Sequence, residues 1–243
     1  MAQVGTLDWS KLDRSSIFNM VMLCQPLIIG KTLLINDLHR MLTRHIKQHL
    51  PLKLKKQLSA DTAFGEVWVG GAYYSDLDRE LQNAIVLVLQ YNPFEEYITL
   101  TKLKFKRIAI SIADTILHEI IHMRQYRARQ FRVLPDYPST AQNHKQRASQ
   151  RYLGCTDEID AYSFNIACEL NAKFKSNSTD IVTYLNKPQN IKRVRSTSWT
   201  RYLLAFDNNH NHRIIKRVKK RVIHYLPHAI LGKPYKNSDW LRQ

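Results

Sequence analysis

Apolar residues recur at helical spacing through the middle of the chain. Ile108, Ala109, Ile112, Ala113, Ile116, Leu117, Ile120 and Ile121 follow steps of three and four, and no Pro or Gly interrupts 105–129. That pattern predicts a long, largely buried helix. Leu33, Leu34, Leu38, Met41, Leu42 and Ile46 predict an amphipathic helix from Pro26 to about Leu50. A third stripe, Ile159, Ile166, Ala167, Leu170 and Phe174, predicts a helix over Asp157–Phe174, with Thr156 or Asp157 placed to cap its start. Trp199–Phe206 and Ile214–Leu226 are further apolar-periodic segments, split by the polar run 207–212.

Two stretches follow a different rule. Glu66–Tyr74 reads as a strand with a Gly-Gly bend. Ala84–Tyr91 is a short apolar run, rich in β-branched residues and ended by Asn92-Pro93, which predicts a buried strand. The expected class is therefore α+β, mostly helical, with a small sheet beside the central helix. Residues 1–16 read as a loose lead-in and 131–156 as a long connection with one short helix around Gln146–Tyr152. The Ser-, Asn-, Lys- and Arg-rich 175–198 reads as a linker, and the tail from Pro227 as irregular. This suggests an N-terminal helical segment (1–60), a core (61–178) and a basic helical C-terminal segment (179–243).

The central helix carries three polar residues against its apolar pattern: His118, Glu119 and His122, in the order His-Glu-Ile-Ile-His. Residues four apart lie on one helix face a turn from each other. Both imidazoles can thus reach one metal ion at about 2.0–2.1 Å, and zinc is the ion this HExxH pattern suits. Glu119, beside the first ligand, stands where a general base is needed. Burying these groups without partners is costly, and a metal would satisfy the histidines. A catalytic zinc usually takes a third protein ligand. The extended pattern HExxHxxGxxH is excluded, because Gln125 and Ala128 occupy its last two defined positions. The remaining candidates are the acids at the start of the Asp157–Phe174 helix, Asp157, Glu158 and Asp160, with His144 before it. Tyr126 and Tyr162 are candidate hydrogen-bond donors to a developing oxyanion, and Gln125 a candidate support for the metal ligands. A second histidine pair, His45 and His49, lies among basic neighbours with no acid nearby, and reads as part of a solvated basic face.

His118 to Tyr126, His-Glu-Ile-Ile-His-Met-Arg-Gln-Tyr, resembles the HExxHxxQY core of small metallopeptidases encoded by tailed bacteriophages and bacteria. Those proteins carry a second block of the form E-[IV]-[ED]-A-Y some tens of residues later. Glu158-Ile159-Asp160-Ala161-Tyr162 stands at that place. The layout also resembles the wider gluzincin group, whose third ligand is a Glu on the helix following the HExxH helix. The resemblance covers about residues 84–174. It implies a zincin-like fold and a zinc peptidase acting on protein or peptide, with His118, His122 and Glu158 as ligands and Glu119 as base. The connection between the blocks departs from the family in being long and basic.

Charge adds a second theme. Lys and Arg number 37 against 20 Asp and Glu, a net +17. From Lys187 onward there are fourteen basic and two acidic residues, which accounts for +12 of that balance. Arg213, Lys216, Arg217, Lys219, Lys220 and Arg221 lie on one expected helix, opposite Ile214, Ile215, Val218, Val222 and Ile223. Such a face fits nucleic-acid phosphates. It also supports an alternative reading, a non-enzymatic nucleic-acid-binding or virion protein with a structural zinc site. Three cysteines without a CxxC exclude a disulfide framework or a cysteine zinc cluster, and suit a reducing, cytoplasmic setting. For a phage protein that is the host cytoplasm, or the virion. The most apolar stretch, 17–29, is interrupted by Asn19, Gln25 and Pro26 and too short to span a bilayer, so no membrane partner is expected.

Overall fold

A computed structural model describes residues 9, 12–74, 84–132, 134–188, 190, 191, 194 and 196–230. The expectations for most of the N-terminal lead-in, and for the tail from 231, lie outside them. The chain divides into two compact units, Met1–Met123 and Arg124–Gln243.

In the first unit, Asp13 starts helix α1 (Arg14–Met22) with a reciprocal cap. Its Oδ1 accepts from Ser16 N at 2.7 Å and its own N–H donates to Ser16 Oγ at 3.1 Å. A short helix α2 (Gln25–Ile28) follows, then a turn in which Gly30 takes φ +74°, a left-handed backbone that glycine adopts without strain. Strand β1 (Thr32–Leu34) leads into α3 (Ile35–His49). The single helix expected from Pro26 is thus broken into three elements. Gly30 ends the first, and β1 is drawn into antiparallel pairing with β5 (Tyr97–Thr99). Helix α3 buries Ile35, Leu38, Leu42 and Ile46. His45 Nε2 lies 2.8 Å from the Met20 carbonyl oxygen, so this histidine is tied to α1.

Strand β2 (Lys53–Leu58) has no counterpart in the hydrophobic pattern. Three of its six residues are lysine, and all but Leu54 are exposed. Its pairing with β4 (Ala84–Tyr91), in parallel, makes it a strand. Strand β3 (Trp68–Tyr74) pairs antiparallel on the other side of β4, with Gly71 opposite Leu87. The order β2–β4–β3 places the apolar run at the centre, where Ile85, Val86, Leu87, Leu89 and Tyr91 are buried. Both sides of β4 are hydrogen-bonded. Of the two strands the pattern predicted, β3 is the one at an edge among the described strands.

Helix α4 (Lys102–Ala128) carries the central apolar stripe, and all eight of its predicted apolar positions are buried. Asp114, partway along it, accepts from Arg14 Nε and Nη2 at 2.5 and 2.9 Å, tying α1 to α4.

The second unit begins within the last turns of α4 and is helical: α5 (His144–Gly154), α6 (Thr156–Lys173), α7 (Ser178–Asn186), α8 (Thr197–Ala205) and α9 (Arg213–Ile230). Helix α7 lies within the expected linker. Asn177 caps it, and Ile181 and Leu185 are its buried apolar residues. Helix α6 is capped by Cys155 without a side-chain bond, not by Thr156 or Asp157. It is buried on nearly all sides from Ile159 to Cys168. Phe164 meets Tyr225 of α9 edge-on at 5.8 Å between ring centres. Helix α9 buries Ile214, Ile215, Val218 and Val222, but Ile223 is 40% exposed and belongs to its solvent side. Mixed α and β structure, mostly helical with small sheets, is the class observed. Among the described residues, no helix is long and apolar enough to cross a membrane.

Candidate metal centre

The α4 helix fixes the relation between His118 and His122. Their Nε2 atoms are 3.0 Å apart and their rings meet edge-on at 4.6 Å. Two nitrogen ligands on one tetrahedral zinc stand about 3.3 Å apart, given Zn–N near 2.0–2.1 Å. The pair thus already points its ring nitrogens at one spot. One carboxylate oxygen of Glu158 completes the group: the three ligand atoms all lie within 4.8 Å of one another, an arrangement that could hold a metal ion. Among the described residues this is the one such group of three or more His, Cys, Asp and Glu. Two imidazoles and a carboxylate make a donor set that suits zinc.

Glu119 is 5% exposed, buried like the flanking histidines. The sheet explains why there is room for it. A Cβ placed on Gly71 would lie 2.6 Å from Thr115 Cγ2, 3.0 Å from Glu119 Oε1 and 3.1 Å from Glu119 Cγ. Residue 71 is thus where β3 and the Glu119 turn of α4 touch, and only a residue without a side chain fits. Gly70, its neighbour, has nothing within 4 Å of such an atom. The Gly-Gly pair was visible in the sequence, but as a bend rather than a contact.

The other candidate acids are engaged elsewhere. Asp157 is held by Arg129, whose Nη1 and Nη2 reach Oδ1 and Oδ2 at 2.8 and 2.7 Å. Gln125 Nε2 donates to the Asp157 carbonyl oxygen at 3.1 Å, so Gln125 fastens the end of α4 to the start of α6. Asp160 pairs with Arg221, whose Nε lies 2.6 Å from Oδ1. Burial pushes the Asp160 carboxyl up to about 6 against the pull of Arg221. His144 opens α5, is exposed, and is outside the group.

Tyr126 is half-buried, with the Arg129 guanidinium 4.2 Å over its ring. Tyr162, one turn after Glu158 on α6, accepts a hydrogen bond from Arg201 Nη1, and the Arg201 guanidinium lies 5.4 Å from its ring centre. Tyr152 of α5 meets Tyr162 edge-on at 6.3 Å and lies close enough to the Glu158 carboxylate to feel its charge. Desolvation of its hydroxyl end, although the residue as a whole is 48% exposed, and then the Glu158 charge raise the Tyr152 pKa. Burial likewise raises Tyr162, against the nearby Arg201 charge. A chain of contacts thus runs Arg201–Tyr162–Tyr152–Glu158. Sequence reasoning named Tyr162 and Glu158 but missed Tyr152 and Arg201, which carry no local motif.

On α9, Arg213, Lys216 and Lys220 are exposed and Arg217 and Lys219 half-buried. Arg213 lies over the Tyr137 ring at 5.0 Å. Arg221 is turned toward buried Asp160, with its side chain 15% exposed. It therefore serves the interior and not the basic face to which its sequence neighbours assigned it.

Comparison with described protein families, curated proteins and solved structures finds no match to this chain.

Proposed function

We propose that this chain is a zinc-dependent peptidase with a zincin-like core, and that Glu119 is its general base. The observation that carries the reading is the His118, His122 and Glu158 group with a buried glutamate beside the first ligand. Bound zinc supplies Lewis acidity toward a carbonyl oxygen and lowers the pKa of a coordinated water to about 7. The chain's own residues do the rest. Glu119, held against Gly71, accepts the proton of the attacking water and returns it to the departing amine. Strand β3, an edge among the described strands, offers backbone groups to an extended peptide, and its Gly71 lies directly beside Glu119. Tyr162 is the better of the two candidate oxyanion donors, because it stands one turn from Glu158 and Arg201 orients its hydroxyl.

The competing reading is a structural zinc site in a nucleic-acid-binding or virion protein. A structural zinc site is normally closed by four protein ligands. Here three candidate ligands come together, and a buried carboxylate lies beside the first of them. Nucleic acid enters instead as a partner of the α9 basic face.

The test is direct. Purified protein should hold one zinc per chain, which His122→Ala loses. Glu119→Gln should keep zinc and fold while hydrolysis of an unstructured protein such as casein falls by at least a hundredfold, within the range a general base contributes. Full zinc occupancy in His122→Ala, or unchanged turnover in Glu119→Gln, refutes the assignment.

A further inference from the structure

Between α5 and α8 lies an open cavity of about 880 Å³, formed entirely within the second unit. Lys145 stands on its α5 wall and Arg201 on its α8 wall. Ser149 and Thr200 add hydroxyls, and Leu153 and Leu204 an apolar floor. The acid among its lining residues, Asp207, accepts from Gln146 Nε2 at 2.7 Å and so is already engaged at one end. Gln146 and Gln150 also both donate to the Ala205 carbonyl oxygen, at 3.4 and 2.8 Å, which stitches that end shut. Lys145, exposed, makes no ion pair or side-chain hydrogen bond among the described residues. Arg201 spends one N–H on Tyr162. A guanidinium has five N–H donors, so Arg201 can hold Tyr162 and still present its fork to the cavity.

We propose that this cavity is a carboxylate-binding subsite, and that Lys145 and Arg201 determine a preference for peptides carrying an acidic side chain or a free C-terminus. The inference rests on the peptidase reading for its meaning, because Arg201 leads through Tyr162 and Tyr152 to Glu158. The chemistry of the cavity itself does not depend on zinc. A carboxylate accepts two parallel N–H bonds from a guanidinium in one plane, and an ammonium adds a point charge. The hydroxyls fix orientation, and the leucines accept the methylenes of the side chain. A neutral amide of the same shape satisfies neither cation. Hydrogen bonds to charged groups contribute more than neutral ones, and the difference expected here is about tenfold to a hundredfold in Kd.

The experiment uses full-length protein carrying Glu119→Gln, loaded with zinc so that no peptide is cut. Three fluorescein-labelled peptides share one Ala/Ser background: one with a central Glu and an amidated end, one with Gln and an amidated end, and one with Gln and a free C-terminus. Fluorescence anisotropy at fixed salt should show at least one carboxylate peptide binding ten times or more tighter than the Gln amide. Which of the two wins identifies the source of the carboxylate. Lys145→Gln together with Arg201→Gln should bring the ratio close to one. Lys145→Gln alone, at an exposed position without a partner, cannot unfold the unit and should lower the ratio severalfold. Lys216→Ser with Lys220→Ser, a control for attraction to net charge, should leave it unchanged. Equal binding of all three peptides overturns the proposal, as does a preference that survives the double substitution. Zinc content measured on wild-type protein separates the two claims: absent zinc defeats the peptidase reading, whatever the anisotropy shows.

Discussion

Replacing Gly71 with alanine tests whether β3 and the Glu119 turn of α4 are packed as tightly as the geometry says. The added Cβ would lie 2.6 Å from Thr115 Cγ2, where carbon atoms prefer about 3.5–4.0 Å. Strand and helix must therefore separate by about 1 Å, or Thr115 must leave its rotamer. Thr115 is β-branched on a helix and has little rotational freedom to give. Overpacking of this kind costs about 1–3 kcal/mol. For a chain of this length that lowers Tm by roughly 2–4 °C per kcal/mol. Gly70→Ala is the internal control, since its Cβ meets nothing within 4 Å. Alanine there should be neutral or slightly stabilising, because it restricts the unfolded chain. Adding Thr115→Ser to Gly71→Ala deletes the atom in the worst contact and should restore most of the lost stability. It should not restore hydrolysis, because the contacts at 3.0 and 3.1 Å to Glu119 remain and a displacement of about 1 Å can cost a hundredfold in rate. Thermal melts by circular dichroism and casein hydrolysis measure the two effects separately. A Gly71→Ala protein that melts within 1 °C of wild type, or a Gly70→Ala protein that melts below it, would refute the packing argument.

Two further outcomes follow from contacts in the second unit. Tyr152→Phe removes the hydroxyl nearest Glu158 in the α5 wall and keeps the ring, so zinc affinity, measured by competition with a chelator, should fall about tenfold; unchanged affinity would detach Tyr152 from the candidate metal centre. If about four α9 side chains meet phosphates, binding to labelled duplex DNA should fall by roughly two decades between 50 and 200 mM salt. Serine at Lys216, Arg217, Lys219 and Lys220 should flatten that slope, whereas Arg221 is already committed to Asp160; no binding at low salt would reduce the face to a solubility feature.

What could be read in advance depended on whether an element's own residues carry the reason for its shape. Strand β4 and helix α4 do: each is buried on both faces or around most of its girth, the apolar run giving β4 its bounds and the periodic stripe giving α4 all but its first turn from Lys102. Strand β2 does not. Its lysines face water, and it is a strand because β4 presents an unpaired edge to it. Helix α7 was hidden for a similar reason. Two buried apolar residues suffice to dock a helix of nine, and its Ser- and Asn-rich flanks, which cap it, also read as linker composition.

The candidate metal ligands divide in the same way. His118 and His122 could be placed because a helix converts a spacing of four into a shared face, which needs no knowledge of the fold. Glu158 rested on a second sequence block, since on its own it is one of three acids within four residues at a helix start. What separates the three is long-range. Arg129 neutralises Asp157, and Arg221 follows Asp160 into the interior. Each arginine gives one of these two acids a matched cation, while Tyr152 is a neighbour of Glu158. The partners that set Asp157 and Asp160 apart from Glu158 thus lie 28 and 61 residues away in the chain, where no local pattern reveals them.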